Sequence, residues 1–235
     1  MTRPASELLE KFDLFADRDA GALVAIAAAA LTRRVEAGDA FFVQGEPTAC
    51  FYVLSKGRAR LTQVTPDGQQ VVVRFITPGE GFGIVASLAG GDYPLTAEAL
   101  EPAEAYGWDG EAFKGLMAAH PELASRSMAL LASRMREFQD RNRELATERV
   151  ERRIARALLR LAGQSGVRES GGVRIDLPLS RQDLAELSGT TVFTVSRLLS
   201  GWEAAGIVGT GRKRIVIRRP HDLVAIAEDL PPATH

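Results

Sequence analysis

The residues from Thr191 to Ser200 carry groups suited to reading the edge of a DNA duplex. Thr191, Val192, Phe193, Thr194, Ser196, Arg197 and Ser200 put hydroxyl, apolar and guanidinium groups within one short stretch. An arginine fork pairs with guanine O6 and N7, and hydroxyls pair with several base edges. A second cluster follows at Gly209-Thr210-Gly211-Arg212-Lys213-Arg214, between the apolar runs Ile207-Val208 and Ile215-Val216-Ile217. That order predicts a two-stranded hairpin whose cationic tip, Arg212, Lys213 and Arg214, meets phosphate.

To present the first cluster to a groove, two helices must cross closely. Ser180-Arg181-Gln182-Asp183 has the form of a capping box at the start of the first. Leu184, Val195 and Leu198 supply apolar inner faces, Ala185 is small where the helices touch, and Gly189 can turn with positive φ. Thr190 and Thr191 can cap the second helix, expected from Val192 to about Ala205 and stopped by Gly206. A helical hairpin that merely packs would satisfy these signals too. The basic hairpin that follows favours a winged helix-turn-helix that binds double-stranded DNA.

Charge agrees once the chain is divided. The whole is near neutral, with 29 Lys and Arg against 30 Asp and Glu. Arg149 to His221 holds 14 basic and 6 acidic residues, whereas Met1 to Glu148 holds 15 and 21. A basic module joined to an acidic one suits phosphate, because each cation contact releases condensed counterions.

At 235 residues the chain has length for about two domains. Its longest apolar run, Ala22 to Leu31, is too short to span a bilayer and has no basic segment before it. No targeting signal is visible, so a cytoplasmic location and no membrane partner are expected. Cys50 is the only cysteine, which excludes an intrachain disulfide and an iron–sulfur cluster; it reads as a small buried residue beside Phe51.

Residues 6–31 read as short helices. From Val35 to about Trp108, turn signals recur every ten residues or so, among them Lys56-Gly57, Thr65-Pro66-Asp67-Gly68 and Gly90-Gly91-Asp92. They predict many short strands in a small antiparallel barrel or roll. Phe51-Tyr52-Val53-Leu54 and Val71-Val72-Val73-Arg74-Phe75 are the clearest strands, and Pro66-Asp67-Gly68-Gln69 is a candidate hairpin turn between them. After His120-Pro121 the chain is expected to be helical to about Leu161. Met128, Leu131, Met135, Phe138, Asn142 and Leu145 repeat at alternating intervals of three and four. That is an a/d seam for a self-associating helix, with Asn142 fixing register at an a position. A stripe covering the chain's own β domain is the other reading. The arginines of Arg149 to Arg160 form either a solvated face or one that approaches DNA backbone. Gly163 to Gly172 reads as a Gly/Ser-rich loop, followed by a short strand over Val173-Arg174-Ile175-Asp176-Leu177.

A sheet-rich N-terminal part, a long helix and a C-terminal winged helix-turn-helix, in that order, resemble the Crp/Fnr family of bacterial transcription regulators. The likeness runs from about residue 12 to 228, and Thr194-Val195-Ser196-Arg197-Leu198-Leu199 is close to the family's recognition helix. The resemblance implies an α+β protein: an antiparallel β-roll sensor domain (1–120), a dimerisation helix (121–148) and a winged helix-turn-helix domain (149–235). It implies a homodimer on a pseudo-palindromic operator, with RNA polymerase as a further partner. Arg181 and Gln182 match backbone contacts at the first helix, and Arg197 matches the arginine that reads base edges.

Three departures change what is inherited. Phe193 stands where the family usually has a glutamate that accepts from cytosine, so it either contacts a thymine methyl or packs inward. Val192 replaces an arginine that reads guanine in some members. The cyclic-nucleotide cassette, Phe-Gly-Glu followed by Arg-Ser or Arg-Thr, here reads Phe82-Gly83-Ile84 and then Pro94-Leu95. Without that arginine an anionic phosphate loses its charge-assisted fork, so control by cAMP or cGMP is not expected. Phe82, Gly83, Ile84, Pro94 and Leu95 remain as a hydrophobic effector pocket without a ligand code. The run Tyr93-Pro94-Leu95-Thr96 looks like the branch responding to nitrogen oxides, some of whose members bind haem. No histidine precedes His120, so Tyr93, Cys50 and His120 are the conceivable haem ligands.

Enzymatic readings lack support. There is no nucleophile elbow, P-loop, dinucleotide fingerprint or strand histidine cluster of the cupin kind, and Glu101 and Glu104 are expected in a surface turn. A ligand-binding regulator acting through a protein partner without DNA is the alternative. It requires a neutral C-terminal face, against the excess of cations found there.

Overall fold

A computed structural model describes residues 4–230, which divide into two compact units, one ending at Phe138 and one beginning at Gln139. In the first, helices α1 (Pro4–Leu9) and α2 (Ala20–Ala28) precede strands β1 (Leu31–Val35), β2 (Ala40–Phe42), β3 (Cys50–Lys56), β4 (Ala59–Val64), β5 (Gln70–Ile76) and β6 (Gly81–Phe82). A short helix α3 (Ile84–Ala89) follows, then β7 (Thr96–Ala99), β8 (Ala103–Asp109), α4 (Gly110–Ala119) and α5 (Glu122–Thr147). The strands form two four-stranded antiparallel sheets, ordered β1-β8-β3-β6 and β2-β7-β4-β5.

β3 accounts for the layering. Cys50 to Leu54 are all buried, because alternate side chains of one strand enter different cores. Phe51 and Val53 join Phe15, Leu23, Ile26, Trp108 and Leu123 between sheet and helices. Tyr52 and Leu54 join Phe41, Leu61, Ile76, Phe82 and Ala97 between the two sheets. Phe51 stacks on Trp108 at 5.1 Å, and Trp108 Nε1 donates to the Ile26 carbonyl at 2.9 Å, anchoring α2 to the sheet.

In the second unit, α6 (Val150–Ser165) leads into β9 (Gly166–Glu169), β10 (Gly172–Ile175), α7 (Arg181–Ser188), α8 (Val192–Ala204), β11 (Val208–Gly211), β12 (Arg214–Ile217) and α9 (Pro220–Glu228). The four strands pair in the order β11-β12-β10-β9. Among the described residues no helix is long and apolar enough to cross a membrane.

Several boundaries differ from the sequence-based expectation. The Pro66-Asp67-Gly68 turn joins β4 to β5, with Val64 opposite Gln70, and not the two strands expected. The residues after Gly57 form a strand of their own, whose mixed burial hides its period. Leu31 already opens a strand, and a helix, α3, stands within the roll. Helix starts at Gly110, before His120-Pro121, and breaks at Glu148-Arg149 between α5 and α6. The expected Gly163–Gly172 loop is the end of α6 plus strand β9, whose pairing with β10 puts Val173 opposite Arg168. Glu104 lies in β8 rather than a turn, and its carboxylate is held by Arg34 at 2.7 Å.

Candidate nucleic-acid interface

The crossing of α7 and α8 is built as its residue types require. Ser180 Oγ accepts from the Asp183 amide at 3.0 Å and Asp183 Oδ2 accepts from the Ser180 amide at 2.9 Å, a complete capping box. α7 ends at Gly189, whose φ of 60° lies in the left-handed region favoured by glycine. A Cβ there would also sit 2.7 Å from Leu145 Cδ2, so a side chain at this turn would have to displace the leucine as well as take the strained φ. Thr191 caps α8, its Oγ1 accepting from the Thr194 amide at 3.2 Å.

α8 is two-faced. Val195, Leu199 and Trp202 are buried against the unit's core, while Thr191, Val192, Phe193, Arg197 and Ser200 are exposed and Thr194 and Ser196 are half-buried. Phe193 is 78% exposed, so it points outward and does not pack into the core. Arg197 has no ion-pair or hydrogen-bond partner among the described residues. Arg181, at the start of α7, reaches Ser196 Oγ at 3.4 Å, and Gln182 donates to Glu186 at 2.7 Å.

The hairpin β11–β12 stands beside α8, held by Glu203. Its carboxylate accepts from the Thr210 amide and from the Thr210 hydroxyl, each at 2.8 Å. Those two bonds, helped by the nearby Arg218 and Arg181, hold the Glu203 carboxyl below its usual range. At the tip, Arg212 and Lys213 are exposed and pair with none of the described residues, Lys213 taking a φ of 52° in the turn. Arg214 departs from the expectation of a third free cation: its guanidinium is paired with Glu169 of β9 at 2.6 Å. Arg218 is a cation that the sequence reading does not single out. Its guanidinium lies over Gly209, where a Cβ would come within 2.9 Å of Nε. An arginine just beyond β12, opposite a strand glycine, is the signal that could have found it.

The arginines of α6 are engaged within the second unit. Arg153 donates to the Ser188 and Gly189 carbonyls, each at 3.0 Å, satisfying the C-terminal end of α7. Arg156 pairs with Glu148 and Glu228, each at 3.1 Å, and Arg160 pairs with the buried Glu144 at 2.8 Å. They are struts between elements of the second unit. Arg141 adds a donor to the Leu187 carbonyl, so the last turns of α5 grip the same helix end.

α5 carries two stripes. Leu123, Ser127 and Leu130 are buried on the first unit. Met128, Met135, Phe138 and Leu145 lie exposed, as does Asn142, while Leu131 is half-buried. The a/d residues are therefore not the ones covering the chain's own β domain. Leu145, in the second unit, lies near Gly189, its Cδ2 2.7 Å from where a Cβ on that glycine would stand.

The five residues expected to form an effector pocket are divided between the two cores and the surface. Phe82 is buried between the sheets and Ile84 in the other core, against the helices. Gly83 links them with a φ of 79°, Pro94 is exposed, and Leu95 packs on the inter-sheet core. Of the conceivable haem ligands, Tyr93 stacks on Phe42 at 3.8 Å. Its hydroxyl donates to the Cys50 carbonyl and accepts from the Cys50 amide, so it is committed to backbone. Cys50 is buried, and burial pushes its thiol up. His120 is a half-buried cap of α4.

Comparison with known proteins agrees with this division. Residues 32–120 match the model of the cyclic nucleotide-binding domain, and residues 152–226 match that of the Crp-like helix-turn-helix domain. The chain is 31% identical over 190 residues to the cyclic AMP receptor protein of Thermus thermophilus, covering 81% of this chain and 85% of that protein. It is 30% identical over 187 residues to the global nitrogen regulator of Synechococcus elongatus, covering 79% and 84%. Among solved structures, FixK2 from Bradyrhizobium japonicum superposes with a TM-score of 0.75 at 26% identity, over 88% of this chain and 99% of that one. With a sensor-domain fold, a long helix and a winged helix-turn-helix in this order, the chain belongs to the Crp/Fnr family of DNA-binding transcription regulators and is not an enzyme.

Proposed function

We propose that this regulator acts as a homodimer on a pseudo-palindromic operator, under a signal received by the β-roll that is not a cyclic nucleotide. The observation that carries the DNA-reading part is the outer face of α8, where Phe193 and an unpaired Arg197 stand exposed over a buried Val195-Leu199-Trp202 stripe. Two such helices, related by two-fold symmetry, enter successive major grooves about 34 Å apart. RNA polymerase is the further partner that this role calls for.

Arg197 and the wing divide the work. Arg197→Ala is expected to cost about 1–3 kcal/mol and to relax preference at one base pair. Lys213→Ala is expected to weaken binding to all sequences alike, lowering the salt slope of log K by about one unit. Phe193→Glu is expected to shift preference toward a C·G pair at one half-site position. Binding-site selection and gel shifts over a salt series check all three. An unchanged consensus for Phe193→Glu would mean that the exposed ring does not reach a base.

Against cyclic-nucleotide control stand two side chains. Ile84 is buried away from the inter-sheet core and offers no acceptor to a ribose hydroxyl, and Pro94 offers neither a cation nor an N–H to a phosphate. Calorimetry with cAMP is expected to give no saturable heat; micromolar binding would sink this reading. A Soret band in freshly purified protein would make haem the signal group instead.

A further inference from the structure

β5 sends an arginine into the roll. Arg74 lies directly opposite Leu61 of β4, which in turn opposes Ala97 on β7. Leu61 and Ala97 belong to the inter-sheet core, and cross-strand neighbours share a face, so Arg74 faces inward. Its side chain is only 19% exposed. Its Nη2 donates to the Gly81 carbonyl at 3.3 Å and is ion-paired with Glu80 Oε1 at 3.6 Å, beyond hydrogen-bond distance. Glu80 Oε2 is taken by the Thr77 amide and hydroxyl, at 2.7 and 2.8 Å. The Arg74 Nε–H is buried and has no hydrogen-bond partner among the described residues. A buried guanidinium without its fork filled is expensive unless something completes it. Burial, reinforced by repulsion from Arg134 on α5, pulls its pKa down to about 10. Arg134 itself spends one nitrogen on Glu137, at 2.8 Å.

We propose that Arg74, with Arg134 beside it, is the anion-receiving end of the roll's signal site, and that its ligand is a small acid with one compact oxyanion. Resting on the reading of the roll as the sensor, the assignment supplies a cation from β5 where the cassette has lost its own at Pro94. An oxyanion that reached the buried, unfilled Nε–H would complete the guanidinium fork and screen the two arginines from each other. It would also sit against α5, whose opposite stripe, Met128, Met135 and Phe138, is exposed for pairing, which is how occupancy would reach the dimer.

The test is isothermal titration of the full-length protein with sodium succinate, sodium phosphate and cAMP at constant ionic strength. Saturable binding of succinate or phosphate is expected, weakened about ten-fold or more in Arg74→Met, reduced in Arg134→Met and unchanged in Arg33→Met, an exposed arginine of β1. The succinate and phosphate arms tell a carboxylic acid from a phosphorylated one. Arg74→Met keeps most of the volume but leaves Glu80 and the Gly81 carbonyl without this partner, so each titration is run below the variant's own melting transition, and Arg74→Lys should recover part of the affinity. No saturable binding of either acid by wild type, or equal affinity in Arg74→Met, would overturn the assignment, as would cAMP binding that ignores Arg74. Gel shifts on random duplex keep the two readings apart: they report the winged helix-turn-helix alone and should be the same for wild type and Arg74→Met.

Discussion

Phe138→Asp is expected to convert the protein to monomers and to lower its specific operator affinity by about 10²–10⁴-fold, the factor lost when two linked contacts become one. Phe138 is 65% exposed on the single chain, so a charge there costs the subunit little, whereas in an a/d seam it would be buried opposite its own copy. Leu131→Asp should also give monomers, but Leu131 is half-buried on its own chain and some of its effect would be loss of folding. Analytical ultracentrifugation alongside a gel shift on the selected operator reads both quantities. If Phe138→Asp sediments as a dimer, the exposed stripe of α5 is not the pairing surface.

Trp202→Ala is expected to cost the second unit about 3–5 kcal/mol, a large share of the roughly 5–15 kcal/mol that holds a typical domain. Trp202 is 5% exposed at the buried side of α8, and its Nε1 donates to Glu151 Oε1 at 3.2 Å, fastening the recognition helix to α6. Removing it leaves a cavity on the buried side of α8. Operator binding should be lost, while the first unit keeps its own melting transition and the emission of its buried Trp108. Trp202→Phe should restore most of the stability, since it refills the volume and forfeits only the Glu151 bond. Scanning calorimetry with tryptophan fluorescence checks this. A single transition displaced as a whole would show that the two units do not unfold separately.

Local signals are the legible ones. The capping box at Ser180, the left-handed glycine at 189 and the cap at Thr191 each involve residues within a few positions of one another, so their chemistry can be read without knowing the fold. The a/d spacing along α5 is legible for the same reason, and so is the basic hairpin tip. Strand partners are not, because pairing is chosen by distant surfaces. The Pro66-Asp67-Gly68 turn is plain in the sequence, yet β4 on its near side is not, since its burial on alternate faces is broken by the irregularity between Leu61 and Thr62. β9 reads as a loop because a Gly/Ser-rich stretch pairs only when β10 lies alongside it.

The sequence by itself determined the succession of a sheet-rich part, a long helix and a winged helix-turn-helix, the basic character of the second unit and the loss of the cyclic-nucleotide cassette at Ile84 and Pro94. Each of these rests on residue type and short spacing. Tertiary structure alone decided which cations are free. Arg153, Arg156, Arg160 and Arg214 look alike in a string of letters, but backbone carbonyls and carboxylates far along the chain occupy them, whereas Arg197, Arg212 and Lys213 stand exposed at the interface. It also decided that Arg74 points into the roll with its Nε–H buried and unfilled among the described residues. Facing direction and partner supply depend on sheet register and on groups brought together from remote positions, and neither is written in local spacing.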